Sequence, residues 1–360
     1  MTELEEHIKR LIRAGGPIPL SVYMGLALGH PEYGYYHHRE VFGTEGDFIT
    51  APEISQMFGE LIGLWCVQRW RDMGSPGEFI LCELGPGRGT LMRDALRAAR
   101  LAPDFLQAAQ LHLVETSRRL RALQREALQR PVIWHDGVTQ LPQIPAIFIA
   151  NEFFDALPIR QFLRRDNQWR EKMVAIDPAS DDLCFCLSPA PLADVSILPA
   201  AMRRAPEGGI AEISPGAQAV LQILAGHIAG QGGAALIIDY GPAASSPGDS
   251  FQALRGQRYS DPLRNAGHAD LTAHVDFQTL ALIAHAAGCK TDGPIPQGAF
   301  LSRLGLHLRA RKLSQSATPE QRAAISSALH RLTGPQEMGG LFKALALGHP
   351  DLPLSPGFGE

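Results

Sequence analysis

The segment Phe79-Ile80-Leu81-Cys82-Glu83-Leu84-Gly85-Pro86-Gly87-Arg88-Gly89-Thr90-Leu91 carries the clearest chemistry in the chain. An apolar strand runs into Gly85, Gly87 and Gly89 and then into a helix, which turns backbone N–H groups and a helix N-terminus toward an open crevice. Loops that cradle a pyrophosphate space their glycines as Gly-x-Gly-x-x-Gly. Here the glycines alternate and Thr90 stands where that pattern needs its third glycine, so a ligand without a pyrophosphate is favoured. Glu115 closes the next apolar run, where an acid accepts from the ribose hydroxyls of a nucleoside; Asp136 closes the run after it, within reach of an adenine amino group. Adenosine recognition without pyrophosphate points to S-adenosylmethionine as cofactor, with Glu83 orienting its amino-acid half.

Asn151-Glu152-Phe153-Phe154-Asp155 follows a further apolar run, where substrate meets cofactor in sheets of this kind. It is not the Asn/Asp-Pro-Pro-Tyr sequence that holds a planar amide or adenine amine, which weakens nucleobase methylation. Glu152 and Asp155 beside two phenylalanines suit a planar cation such as guanidinium, through bidentate pairing and stacking. Arginine has a free pKa above roughly 12, so transfer to its nitrogen depends on orientation and nearby carboxylates. Asn151, Glu152 and Asp155 are therefore the catalytic candidates. The alternative is structural: the same acids would favour the start of a helix.

The elements that must position these residues follow from hydrophobic patterning. Phe79 to Glu83, Leu111 to Glu115, Pro131 to Asp136, Ala146 to Asn151 and Ala235 to Asp239 are short apolar runs with polar ends. Near-continuous apolarity predicts strands buried on both faces of a parallel sheet, with helices over Leu91 to Ala99 and Ser117 to Gln129 between them. That is an α/β, Rossmann-like doubly wound pattern, whose ligands gather at the carboxyl ends of the strands. The stretch between the fourth and fifth runs is far longer than a crossover needs and predicts an inserted β-rich subdomain, with strands over Phe162 to Ile176 and Asp182 to Leu187. The expected organisation is N-terminal helices and an active-site lid segment (1–75), a methyltransferase core (76–160 plus 234–310), the insert as substrate or partner subdomain (161–233) and a helical tail (311–360). Within the first part, His30 to Glu53 is too aromatic for an idle linker and too rich in glycine for regular structure, which suits a lid or a packed arm.

The 360 residues are 45% hydrophobic, enough for a large core, and no apolar run is long enough to span a bilayer. Thirty-three basic against 37 acidic side chains argue against bulk electrostatic binding of nucleic acid. Five cysteines without a Cys-x-x-Cys pair suggest reduced thiols and no metal site. The first residues mix Glu3, Glu5 and Glu6 with Lys9 and Arg10, unlike a secretory or transit segment, so a cytoplasmic address is expected.

Gly46-Asp47-Phe48-Ile49-Thr50-Ala51-Pro52-Glu53-Ile54-Ser55-Gln56, Glu83 to Thr90, Asn151 to Asp155, and Ile238-Asp239-Tyr240-Gly241 together resemble the MidA-type family, with the motifs in order. Asp270 to Phe277 is similar to a further family stretch. The resemblance implies a class I S-adenosylmethionine-dependent methyltransferase in a family whose eukaryotic members dimethylate an arginine of the 49 kDa subunit of respiratory complex I. It implies that Gly85, Gly87 and Gly89 bind cofactor and that Asp47, Phe48, Thr50 and Glu53 form part of the active-site wall. The implied partner is a protein substrate, and the implied address is the bacterial cytoplasm, or the mitochondrial matrix for a processed eukaryotic form. A homodimer stays open. So do three alternatives: a noncatalytic cofactor-binding assembly chaperone, a methyltransferase of a small cationic molecule, and an NAD-linked oxidoreductase.

Overall fold

The computed structural model describes residues 2–38, 50–256 and 258–359. Asp47 and Phe48 of the expected wall lie outside the described residues. The chain divides into two compact units, one made of Met1–Phe48, Asp155–Ala219 and Ala244–Thr279, the other of Ile49–Phe154, Val220–Ala243 and Leu280–Glu360.

In the first unit, helix α1 (Glu3–Gly15) starts from a capping box in which Thr2 and Glu5 satisfy each other's backbone N–H groups. Leu4, Ile8 and Ile12 recur every fourth residue and are buried. They share a core with Leu20, Tyr23, Met24 and Ala27 of α2 (Leu20–Gly29). A short helix, α3 (Tyr35–His38), follows. One antiparallel sheet runs β1 (Ile18–Pro19), β7 (Gln168–Ile176), β6 (Arg160–Arg165), β9 (Ile210–Ile213), with β8 (Leu183–Leu187) also paired to β7. Asp166 and Asn167 close the β6–β7 hairpin at positive φ, as a two-residue primed turn requires. A three-stranded sheet joins β11 (Gln252–Arg255) to β12 (Arg258–Ser260) and β13 (Asp270–Thr272).

The second unit is built on a seven-stranded sheet. Its order is β14 (Lys290–Pro296), β15 (Phe342–Gly348), β10 (Gly233–Tyr240), β5 (Ala146–Asn151), β2 (Phe79–Leu84), β3 (Ala109–Val114), β4 (Ile133–His135). The five strands from β10 to β4 are parallel, and each falls within or on one of the five apolar runs. Every residue of β2 and β5 is buried, which explains their unbroken apolarity. The chain winds outward from β2 through β3 to β4 and then returns to β5 on the other flank of β2, so the strand order reverses between β2 and β5.

Two details differ from expectation. The third strand is only three residues long, because it is the sheet edge and Ile133 stands half exposed. The tail holds the expected helix, here Pro319–Thr333, but it also supplies β15, antiparallel to both β10 and β14. Phe342-Lys343-Ala344-Leu345-Ala346-Leu347 is rich in helix formers, and the two open strand edges beside it override that propensity.

Candidate functional site

The glycine loop leaves β2 and enters α6 (Thr90–Ala98). Gly85, Gly87 and Gly89 have φ of 61°, 51° and 80°, conformations that residues with a Cβ adopt only with strain. A Cβ on Gly85 would stand 2.9 Å from the Phe153 ring, so the turn is also filled from the outside. The Gly89 N–H closes a tight turn onto the Pro86 carbonyl at 2.8 Å. Gly89 occupies the N-cap of α6 and offers no side chain to it, which leaves the amides of the first helical turn to be satisfied by something else.

Glu83 and Asn151 end neighbouring parallel strands. Glu83 is level with Ile149, two residues before Asn151, so the alternation of side chains puts Glu83 and Asn151 on one face of the sheet. Both are buried, and each carries an orphaned acceptor, Glu83 Oε2 and Asn151 Oδ1. Asn151 Nδ2 donates to Glu152 Oε1 at 3.0 Å; a carboxylate only accepts, which fixes the amide orientation and leaves Oδ1 facing the orphan position. Burial lifts the Glu83 pKa to about 8, with a hydrogen bond from the Met92 backbone opposing it. Two buried acceptors at the strand reversal call for a ligand that donates, and a cation above all.

Glu115 ends β3. Its oxygens accept from Ser117 N at 2.8 Å and Gln124 Nε2 at 3.2 Å, and burial outweighs these bonds to raise its pKa. An ionised carboxylate has about four lone-pair positions, so room remains for hydroxyl donors. Gln124 was not among the residues expected at the site. Its Nε2 also donates to the Gly87 carbonyl at 2.8 Å and its Oε1 accepts from Trp134 Nε1 at 2.8 Å, tying the glycine loop to Glu115. The signal was present: Gln124 sits between Leu120 and Leu128 on the buried stripe of the helix Arg118–Leu128. Asp136 stands apart from this buried group, largely exposed and paired with Arg121, which also donates to the Glu115 carbonyl.

The segment after β5 forms no helix, so the alternative account of its acids fails. Glu152 takes φ of 52°, left-handed and unusual for its type. Asp239 of β10, fully buried, accepts from Phe153 N at 3.2 Å and Phe154 N at 2.9 Å and shapes the turn. Glu152 Oε1 accepts from Ala51 N at 2.9 Å, the first residue of α4 (Ala51–Ile54), for which Thr50 is the N-cap. Glu53, on the same helix, accepts from the Thr90 hydroxyl. Thr50, Glu53, Asn151 and Glu152 are thus brought together with the glycine loop.

Asp155 belongs to the first unit. It is buried, and its carbonyl accepts from Ala273 N at 3.1 Å. The Tyr36 phenol donates to Asp270 at 3.4 Å, and burial, then Asp270 and Asp155, push its pKa well up.

The residues 61–295 match the model of a family described as S-adenosyl-L-methionine-dependent methyltransferases. The chain belongs to that family. It is 39% identical, over 96% of its length and 84% of the relative's, to a Drosophila melanogaster protein named protein arginine methyltransferase NDUFAF7 homolog, mitochondrial. The human protein arginine methyltransferase NDUFAF7, mitochondrial, is 34% identical over 96% of this chain and 83% of its own. A Burkholderia thailandensis protein crystallised with S-adenosyl-homocysteine superposes with a TM-score of 0.85 at 27% identity, covering 99% of this chain and 94% of that one. The methyltransferase therefore has the expected α/β fold, and S-adenosylmethionine is its cofactor. Its second unit holds three left-handed glycines, a helix start with no side chain at its N-cap, and two buried acceptors, Glu83 Oε2 and Asn151 Oδ1. Among the described residues no helix is long and apolar enough to cross a membrane.

Proposed function

We propose that this methyltransferase acts on an arginine of a protein, that the protein is the 49 kDa-type subunit of respiratory complex I, and that the reaction serves complex I assembly. The observation that supports this most is the 39% identity, over nearly the whole chain, to a relative named protein arginine methyltransferase. When bound, the cofactor supplies an electrophilic methyl group on a sulfonium. Glu83 would meet its ammonium, the Gly85, Gly87 and Gly89 turn would let the backbone approach it, Glu115 would accept from its ribose, and Asp136, exposed beside Arg121, would be the acid nearest the adenine side. Asn151 Oδ1 orients an N–H donor at the strand ends, and Glu152 holds the Asn151 amide in that orientation. Asp155 is the remaining acceptor-side acid. A displacement at a methyl group needs little acid–base help, so placement and exclusion of water supply most of the rate.

The inserted 161–233 subdomain is the part we assign to the protein partner, beside the 76–160 plus 234–310 core, the 1–75 arm and the 311–360 tail. The compartment follows the partner: the matrix for a processed eukaryotic form, the cytoplasm for a bacterial one. The test is labelled-methyl transfer from S-adenosylmethionine in lysate containing complex I subunits, followed by mapping of the label. Label on an arginine of the 49 kDa-type subunit supports the proposal. Label only in the small-molecule fraction favours a cationic metabolite as acceptor, and no label despite cofactor binding favours a noncatalytic chaperone.

A further inference from the structure

Resting on the methyltransferase reading, we infer that Glu53 is a positioning residue for the cofactor loop, not only part of an acceptor wall. Its carboxylate accepts from the hydroxyl of Thr90, the first residue of α6 and the neighbour of Gly89. Gly89 brings no side-chain cap; Glu83 takes the Met92 N–H further along the first turn, and the Glu53–Thr90 bond fixes the first residue of α6.

The rest of α6 is already held. Helix α5 (Gln56–Asp72) lies so close that a Cβ on Gly59 would stand 3.0 Å from the Leu91 carbonyl oxygen, and one on Gly63 would stand 2.4 Å from that of Ala95. Glu60 of α5 accepts from Arg97 at 3.1 Å. These contacts hold α6 from Leu91 onward, so Thr90 is the residue at the helix start left for Glu53 to place, beside the glycine turn. At its own start α4 is tied through Ala51 N to Glu152, and through Glu152 to Asn151. Four residues of helix therefore join the end of β5 to the loop after β2.

The strain at Glu152 is consistent with such a tie. A left-handed non-glycine residue is strained and persists where its surroundings over-determine it. Here those surroundings are Ile238 O, which accepts the Glu152 N–H at 2.9 Å, and the two donors on Oε1.

The experiment is calorimetric titration of S-adenosyl-homocysteine into the full chain and four variants, with melting temperatures of the unliganded proteins alongside. Thr90→Val and Glu53→Leu each remove one side of the bond and are expected to weaken binding about tenfold, the equivalent of one lost hydrogen bond to a charged group. Thr90→Ser keeps the hydroxyl and Glu53→Gln keeps an acceptor oxygen, and both are expected within about twofold of wild type. The double variant Glu53→Leu/Thr90→Val is expected to be no weaker than either single one, since both break the same contact. Binding that tracks melting temperature instead of the hydroxyl and acceptor would overturn the inference, as would a Thr90→Val protein that binds like wild type. Wild-type protein that fails to bind overturns the methyltransferase reading itself.

Discussion

Asp239 and Phe154 are 85 residues apart in sequence, and the carboxylate of the first accepts the backbone N–H of the second at 2.9 Å. The same oxygen takes Phe153 N, and the other takes Tyr240 N at 2.9 Å. One buried side chain thus shapes the turn that presses Phe153 against Gly85. Asp239→Ala leaves buried N–H groups without this acceptor, each costing about 1–3 kcal/mol. A melting temperature lower by roughly 5 °C or more is expected by circular dichroism, together with weaker S-adenosyl-homocysteine binding. An unchanged melting temperature would show that the turn is held by other means.

Gly85→Val should abolish cofactor binding. The left-handed φ and the 2.9 Å approach to Phe153 act together, so Gly85→Ala is already expected to weaken binding at least tenfold while the far-ultraviolet spectrum stays native. Adding Phe153→Ala opens the space but not the backbone angle, and should recover only part of the loss. Full recovery would assign the whole effect to the ring.

Glu83 makes cofactor binding depend on pH. Its pKa is about 8 in the fold against 4.5 ordinarily, so between those values the folded chain keeps a proton that the unfolded chain gives up, and stability falls as pH rises through the window. A bound ammonium favours the carboxylate and drives that proton off. S-adenosyl-homocysteine should therefore bind more tightly at pH 8 than at pH 6, and titration at pH 7 in two buffers of different ionisation enthalpy should show proton release. Glu83→Gln should remove the release; an unchanged release would take Glu83 out of the cofactor site.

The buried pair His112 and His135, stacked with ring centroids 5.0 Å apart and joined by a 2.8 Å hydrogen bond, predicts acid sensitivity. Burial, then His135, lowers His112 to about 4 from 6.5. Between those values the unfolded chain takes up a proton that the folded chain refuses, so stability is lost as pH falls, by up to about 3 kcal/mol. His112→Phe keeps a stacked ring without the titration. Urea unfolding at pH 7 and pH 5 should show a smaller loss for the variant than for wild type; equal losses would clear His112 of the effect.

The parallel strands β2, β3, β5 and β10 are legible in the sequence because strands covered on both faces need apolar residues throughout, and their polar ends mark where a ligand can sit. Alternating glycines likewise announce three left-handed residues. What the sequence hides is set by contacts between distant segments. Nothing local marks Glu152 as left-handed, since its angle follows from Ile238, Ala51 and Asn151 acting on it. Glu53 looks like a wall residue until Thr90, 37 positions on, is seen to be its partner. Asp136 reads in the sequence only as an acid at a strand end; that it is largely exposed and paired with Arg121 follows from β4 being a short edge strand that stops one residue earlier.

Strand β15 lies between β10 and β14, and among the described residues β14 has no other partner in the sheet. Of the seven strands it is the last to be synthesised, so on the ribosome the sheet waits, with two hydrogen-bonding edges bare, until residues near 348 have emerged. A message cut short before that point yields not a slightly smaller enzyme but a sticky one, with two templates for pairing with other chains. Quality control of this protein is in that sense written into its strand order.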